Sequence, residues 1–417
     1  MDIQPHARMN AIGLMSGTSL DGVDAALVRT DGACVFAHGP SLTVPYPPGL
    51  RTRLRALLDE APHLTAQSAQ VLEIEREVTD IHAQAVRLIR AAAPDMVADV
   101  VGFHGQTILH APGPAARPEG GRDGAHACES AREQSPATPC AARQDEPPMG
   151  QHGRTWQIGD AARLSASTGL PVVHDFRSAD VQAGGQGAPL APLYHAALLQ
   201  GRPGPVAVLN IGGVANLTLL GATGHVWACD TGPGNALLDD WTQRHTGQPY
   251  DRDGALAARG TVHGPSLAAL MAHPFFAAPP PKSLDRLSFH AGLEQIARLD
   301  AADGAATLAA FTAEAVARTP LPEQPGAWYV CGGGRHNPAI MAALAQRLAG
   351  PVRPVEDLGW KGDALEAECF GFLAVRSLRG LPLSLPATTG VPTPLRGGQL
   401  TCAGITPWGM REGGRIL

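Results

Sequence analysis

Two widely separated segments of the chain repeat one pattern. IGLMSGTSLDGVDAALV (12–28) and VLNIGGVANLTLL (208–220) both read as apolar strand, tight Gly turn, apolar strand. Each opens one half of the sequence. Such a chain is constrained to a duplicated α/β fold, in which each lobe begins with a hairpin and a cleft lies between the halves. The Gly turns can then approach a ligand in that cleft closely. A length of 417 residues suits two lobes of ordinary size, and 44% hydrophobic residues suffice to fill their cores.

The elements between the repeats follow from periodicity. Helical spacing covers 48–61 and 66–93, where Val71, Leu72, Ile74, Val78, Ile81 and Val86 recur at three- and four-residue steps. DMVADVVGFHG (95–105) is a buried strand entering a Gly turn, and TWQIGDAARLSASTGLPVVHDF is a helix followed by a strand. AGGQGAPLAP (183–192) is a Gly-rich joint that opens a helix through Leu199. Strands at 204–235 lead to helices near 234–246, 262–272, 287–299 and 304–318; a strand at 328–334 precedes a helix over 337–348, and a last helix runs over 363–378. Residues 111–153 differ in kind. They hold almost no large apolar residue and are crowded with Pro, Gly, Ala and charge, so they are expected to form a disordered surface insertion. His126, Cys128 and Cys140 lie within it, without the second close ligand pair that a structural metal site needs.

Composition excludes several functions. Net charge is −6 with no dense basic run, which argues against a nucleic-acid partner. No stretch approaches the roughly 18 apolar residues of a membrane span, and MDIQPHARMN has no apolar core of signal-peptide length. Seven scattered cysteines with no CxxC pair fit free thiols in a reducing cytoplasm. Chemistry that needs a lysine has only Lys282 and Lys361 to draw on.

Polar chemistry concentrates at strand ends. In SGTSLDGVD (16–24), Ser16, Gly17, Thr18 and Ser19 leave backbone N–H groups open beside hydroxyls, a nest for phosphate oxygens. Asp21 and Asp24 would repel a bare phosphate but suit Mg²⁺, and Asp21 is the expected metal ligand. A plain hairpin turn rich in Gly, Ser and Asp is an equal reading of this segment alone. NIGGVAN (210–216) and DTGPGN (230–235) are like turns in the second half, and the latter enters a helix N-terminus able to bind anions. CGGGRHNP (331–338) lets a flat group such as adenine reach the backbone. There is no GxxxxGK[ST], and no GxGxxG after a strand, so P-loop and Rossmann sites are disfavoured. In HDFRSADVQAGGQGAPL (174–190), Asp175, Arg177 and Asp180 follow a buried strand; a cleft carboxylate there serves as metal ligand or general base. A helix cap with an Asp–Arg ion pair is the bland alternative, favoured for Asp175. His104, in FHGQT, reads as a sugar contact or as a residue satisfying a buried hydrogen bond.

These motifs, in order and together with WQIGD, GDALEAECFGFLA and LPATTG, resemble the anhydro-N-acetylmuramic acid kinase family over about residues 11–404, the insertion apart. The resemblance implies an actin/sugar kinase-type fold: two RNase H-like lobes closing over ATP. Residues 1–190 and 363–417 would form the first lobe and 191–362 the second, nucleotide-binding one. It implies that 1,6-anhydro-N-acetylmuramic acid, MgATP and water give N-acetylmuramic acid 6-phosphate and ADP in cell-wall recycling. A carboxylate activates water at the anomeric carbon, and the released O6 takes the γ-phosphate, half phosphoryl transfer and half inverting hydrolysis. By its place in DFRSAD, Asp180 matches the family's general base. The ATP site would comprise Gly17, Thr18, Ser19, Leu20, Asp21, Gly22, Val23 and Asp24 with Gly212, Gly213, Asn216, Asp230, Gly232, Gly234 and Asn235, and the adenosine would lie on Gly332, Gly333 and Gly334. His104, Gln106, Arg177, Gly184 and Gly185 are the expected substrate contacts. Family habit suggests a cytoplasmic homodimer.

Three features depart from the family pattern. PPKSLDRLSF (280–289) lacks the family's Thr-Gly-Arg-Glu run, which leaves Lys282 and Arg286 without an assigned role. Gln182 replaces a small residue, and the insertion after His110 is long. A nucleotide-switched binding protein would need an appended interaction surface, which the sequence does not show. A related kinase acting on an ordinary sugar hydroxyl would differ in whether the base deprotonates water or sugar.

Overall fold

A computed structural model describes residues 7–17, 19–113, 153–284 and 286–404. Thr18 and the insertion's His126, Cys128 and Cys140 lie outside the described residues.

The first sheet contains β1 (Met9–Ser16), β2 (Gly22–Thr30), β3 (Val35–Pro45), β4 (Val100–Ala111), β5 (Arg154–Ile158) and β6 (Val172–His174). The second contains β7 (Val206–Ile211), β8 (Val214–Leu220), β9 (Val226–Pro233), β10 (Ala327–Cys331) and β11 (Val352–Pro354), while β12 (Gln399–Thr401) returns to the first. Their orders are β12-β6-β4-β1-β2-β3, with β5 on β4, and β11-β10-β7-β8-β9. In both, the opening hairpin and third strand are antiparallel. The two later strands add in parallel on the other side of the first. This is one five-stranded topology used twice, the duplication expected from the repeated hairpins and the RNase H-like lobes that the resemblance implies.

Helices cover the sheets: α1 (Pro48–Glu60), α2 (Ala69–Ala92) and α3 (Ala161–Thr168) in the first half; α4 (Ser178–Gln182) and α5 (Pro192–Leu198) at the joint; α6 (Ala236–Thr246), α7 (Gly264–Leu270), α8 (Ala301–Ala317) and α9 (Pro338–Arg347) in the second. Then α10 (Leu365–Leu378) and α11 (Pro386–Thr389) return to the first. One apolar core lies under α1–α3, where Leu54, Leu57, Val78 and Val86 are fully enclosed, and another surrounds Trp241, Phe311 and Trp328. A third, with Val28, Val100, Tyr194, Val208, Phe370 and Phe372, belongs to both sheets and joins the lobes. The expected helix at 287–299 is a 3₁₀ stretch, Arg286–Ile296, anchored by buried Phe289, Leu293 and Ile296. Gly292 in its middle weakens α-helical propensity.

The α10 backbone lies directly on the first sheet. A Cβ on Gly13 would fall 1.7 Å from the Ala367 carbonyl oxygen, and one on Gly102 would fall 2.0 Å from that of Phe370. Only glycine on β1 and β4 permits this approach. Gly102→Ala is therefore expected to lower stability by about 3 kcal/mol or more, since backbone has to move to admit one methyl group. Gly49→Ala, in open space at the start of α1, should be neutral or stabilising by up to about 1 kcal/mol. Melting temperatures of the two variants check this, and equal melts would contradict the close packing.

Candidate active site between the lobes

The first-lobe turn after β1 is held from beneath. The Leu20 amide donates to the Gly17 carbonyl at 3.2 Å, and so does Gln106 Nε2 at 3.1 Å, while Gln106 Oε1 accepts from the Tyr46 hydroxyl. His82 Nδ1 lies 2.7 Å from the Val78 carbonyl, which assigns its proton there and leaves Nε2 to accept from Ser16 Oγ at 2.8 Å. Burial pushes His82 down to about 4, so this bond persists at neutral pH. Gln106 thus positions the turn rather than projecting into the cleft. Gly17 has open space where a Cβ would stand, whereas Gly22 is pressed on the Val44 carbonyl.

The two aspartates of this turn differ. Asp21 is exposed and paired with Arg51 at 2.8 Å. Asp24 faces inward and accepts from Thr43 Oγ1 at 2.5 Å. Burial raises its proton affinity, Thr43 opposes that, and Asp363 and Asp21 add to it. Across the cleft, Glu366 in the first turn of α10 accepts from Asn210 Nδ2 of β7 at 2.9 Å. It is open to solvent yet crowded by protein, the signature of a side chain in a cleft. That crowding raises its proton affinity and nearby Asp24 raises it further, while Arg177 and Asn210 lower it. Neither Asp24 nor Glu366 is ion-paired among the described residues, and both have the chemistry of a hard-cation ligand.

In the second lobe the turn that enters the expected helix N-terminus is tied down. Amides of Gly234, Asn235 and Ala236 donate to the Gly212 and Gly213 carbonyls at 2.7–3.3 Å. They fix the β7–β8 turn, so these three amides do not stand free for an anion. The glycines separate accordingly. Gly212 has no contact closer than 3.6 Å at its missing Cβ, while Gly234 and Gly334 are pressed on Gly212 and Ile211, and Gly232 on Ala315. Gly332 has φ +72° and lies against Asn210 Oδ1. The side chain of Asn235 donates to the Ile211 carbonyl at 3.2 Å. Leu20 and Val23 are enclosed in the first core, so only their backbone can face a nucleotide.

The joint brings three chain segments together. Asp180 is 2% exposed, and both its oxygens are engaged: Oδ1 accepts from the Gly187 amide and Oδ2 from Thr389 Oγ1, each at 2.6 Å. A Cβ on Gly185 would fall 2.2 Å from Oδ1, so the loop from φ-positive Gly184 to Gly187 can wrap the carboxylate. Arg177 donates from Nε to His104 Nε2 at 2.9 Å and from Nη1 to the Gly187 carbonyl at 2.6 Å. His104 Nδ1 is 2.8 Å from the Gly105 carbonyl. Both ring nitrogens of His104 are thus committed, and burial, with the Arg177 charge adding, holds it well below its usual range and neutral. Arg177 forms no salt bridge among the described residues, although Glu366, Asp230 and Asp180 all act on its charge. Asp175 accepts from Gln399 Nε2 at 2.8 Å, tying the joint to β12.

Asp230, on β9, faces this joint from the second lobe. Its Oδ2 accepts from the Leu284 amide at 2.7 Å, and its own amide donates to the Lys282 carbonyl. Burial raises its carboxyl to about 7, against the opposing pull of Leu284, Arg177 and Lys282. Lys282 Nζ donates to the Phe275 carbonyl at 2.9 Å and lies over that ring. The adjoining Ser283 donates to Gln186 Oε1 at 3.1 Å, a direct contact between the lobes. Glu366 and Thr389 were not singled out from sequence, although both stand in recognised runs, GDALEAECF and LPATTG. In helix and loop alike, no local pattern marks which polar residue turns inward.

The sequence model of the anhydro-N-acetylmuramic acid kinase family matches residues 9–118 and 144–402, so its gap falls inside the expected insertion. The anhydro-N-acetylmuramic acid kinase of Acidiphilium cryptum (strain JF-5) is 56% identical over 397 residues, 95% of this chain and 99% of its own length. That of Gluconobacter oxydans (strain 621H) is 55% identical over 395 residues, 93% and 99% respectively. Among solved structures, a ROK family glucokinase from Streptomyces griseus in complex with glucose and AMPPNP aligns with TM-score 0.38 and 13% identity, over 87% of this chain and 98% of that one.

The Asp230 environment has a consequence for stability. Its carboxyl is raised from 3.8 to about 7 on folding, so between these values the folded chain holds a proton that the unfolded chain has lost. Stability from this group is present at low pH and falls as pH rises toward 7, on the order of a kcal/mol per unit. Asp230→Asn removes that slope. Urea denaturation of both proteins at pH 5 and pH 8 should show the larger loss in the parent, and parallel losses would contradict the assignment.

Proposed function

Because this chain belongs to the anhydro-N-acetylmuramic acid kinase family, we propose that its cleft couples hydrolysis of the 1,6-anhydro ring of 1,6-anhydro-N-acetylmuramic acid to phosphorylation of O6 by ATP. The work would be cytoplasmic, where ATP and the recycled sugar meet; no helix among the described residues is long and apolar enough to cross a membrane. The observation that carries the mechanism is the buried carboxylate of Asp180 at the joint, fixed by the Gly187 amide and Thr389 Oγ1, with Arg177 anchored on the carbonyl of the same Gly187. A general base must be held within reach of the proton it abstracts.

We assign the base to Asp180 and a supporting role to Asp230. Each Asp180 oxygen accepts one short bond, which fixes the carboxylate and leaves lone pairs for water, while Asp230 accepts from the Leu284 amide on the second lobe. Asp180 takes a proton from water as that oxygen bonds to the anomeric carbon. The bond from that carbon to O6 breaks, O6 bonds to the γ-phosphorus, and the bond to the departing ADP breaks. The proton leaves later from Asp180. The Gly184–Gly187 loop wraps Asp180 beside the sugar, and Arg177, oriented by neutral His104, offsets negative charge in the closed cleft. The turn at 17–24, whose Thr18 is outside the described residues, and the β7–β8 turn at open Gly212 would face the phosphates from opposite lobes. Gly332–Gly334 would floor the adenosine.

The residues present fit Mg²⁺: Asp24 and Glu366, two carboxylates that act on one another's charge, would hold it. Asp21, the sequence expectation, is turned to the surface by Arg51. When bound, the ion would neutralise phosphate charge and orient the γ-phosphoryl group.

Steady-state kinetics test this. Asp180→Asn removes the base and should lose about 10³-fold in kcat while the affinity for ATP stays within about twofold. Asp230→Asn should keep a much larger share of kcat. The reverse pattern would move the base to Asp230.

A further inference from the structure

We propose that Arg335 is a positioning residue that locks the nucleotide floor to the second crossing between the lobes, so that hinge and ATP site move as one body. The proposal rests on the reading of Gly332–Gly334 as the adenosine floor. The chain crosses between lobes twice. The first crossing is the joint at 183–192, and the second runs from β11 through the 3₁₀ turn Val355–Leu358 into α10. Arg335 sits where the floor meets this second crossing.

The geometry is specific. The Arg335 side chain is 3% exposed. Its Nη1 donates both to the Gly332 carbonyl at 2.9 Å and to Asp363 Oδ1 at 2.8 Å, and its Nε donates to Glu356 Oε1 at 2.9 Å. The same Glu356 oxygen accepts from the Gly362 amide at 3.2 Å. A Cβ on Gly362 would fall 2.5 Å from Arg335 Nε, so the crossing is shaped around the guanidinium. One planar fork thus joins the left-handed turn at Gly332 to both sides of the crossing.

The position of this fork gives it a functional consequence. Gly332 fixes the turn beneath the adenosine, and its missing Cβ lies against Asn210, whose amide holds Glu366. Asp363 stands two residues before α10 and acts on the charge of Asp24. Arg335 neutralises Asp363 and holds it away from free approach to the cleft carboxylates. Loosening the fork would let the floor, the start of α10 and the phosphate-facing acids drift relative to one another. The sugar subsite, built from the 175–187 joint and β9, touches none of these bonds.

The test separates the two substrates. For Arg335→Ala, which removes all three bonds of the fork, KM for ATP should rise about tenfold or more. KM for the anhydrosugar should stay within about twofold. Arg335→Lys should recover part of the ATP effect, because an ammonium group can hold a single partner but lacks the fork. Glu356→Gln, at a half-exposed side chain, should move KM for ATP in the same direction, by about threefold. Calorimetric affinity for a non-hydrolysable ATP analogue should fall in parallel. A folded Arg335→Ala protein with unchanged KM for ATP, or with both KM values raised equally, overturns the proposal. Should Arg335→Ala fail to fold, an unchanged KM for ATP in Glu356→Gln overturns it. Absence of nucleotide binding by the unaltered protein would instead sink the reading of the floor.

Discussion

Contact of the α10 backbone with the glycines of β1 and β4 is the constraint from which the cleft follows. Gly13 and Gly102 let the helix lie on the first sheet with no side chain between. At this depth, helix and strand share the apolar core that also takes in Val206, Val208 and Tyr194 from the second half. The N-terminal turn of α10 is thereby delivered to the boundary between lobes. There Glu366 reaches Asn210, and Glu368, buried within the helix face, accepts from the Tyr194 hydroxyl at 2.7 Å and lies 2.9 Å from His38 Nδ1. A helix one methyl group farther from the sheet could not span both lobes in this way.

That placement gathers negative charge where a phosphoryl donor must be bound. Asp24, Glu366, Asp180 and Asp230 all point inward, and Arg177 is the cation common to the last three. Each carboxylate is handled differently. Asp180 accepts one short hydrogen bond on each oxygen, Asp230 is desolvated toward neutrality, and Asp24 and Glu366 face one another's field. Environments that drive like groups apart are how one cleft can provide a base and a cation site together.

Much of this was legible from sequence because it depends on local pattern. The paired Gly-turn hairpins announce the duplicated topology, and apolar periodicity places α2 and α8 within a few residues. The strand β3 escaped notice: Val35–Pro45 contains Gly39 and Pro40, both poor strand residues, and is tolerated only as an edge strand with an irregular register near them. The roles of the cleft residues were less legible, because they depend on contacts distant in sequence. Thr389 meets Asp180 across 209 residues, and Asn210 meets Glu366 across 156. Nothing in DTGPGN itself shows that the amides of Gly234, Asn235 and Ala236 go to the β7–β8 turn. Asp21 looks like the metal ligand until Arg51 is seen to pair with it at the surface.

The central claim is that one cleft adds water to the anomeric carbon and phosphate to O6 in a single coupled event. Mass spectrometry of the product formed from 1,6-anhydro-N-acetylmuramic acid and MgATP in heavy-oxygen water tests it most directly. The account predicts one phosphate and one heavy oxygen per sugar, the heavy atom at the anomeric carbon and none in the phosphate. Recovery of unchanged sugar with heavy oxygen in inorganic phosphate would mean that water attacks ATP instead, and would contradict it.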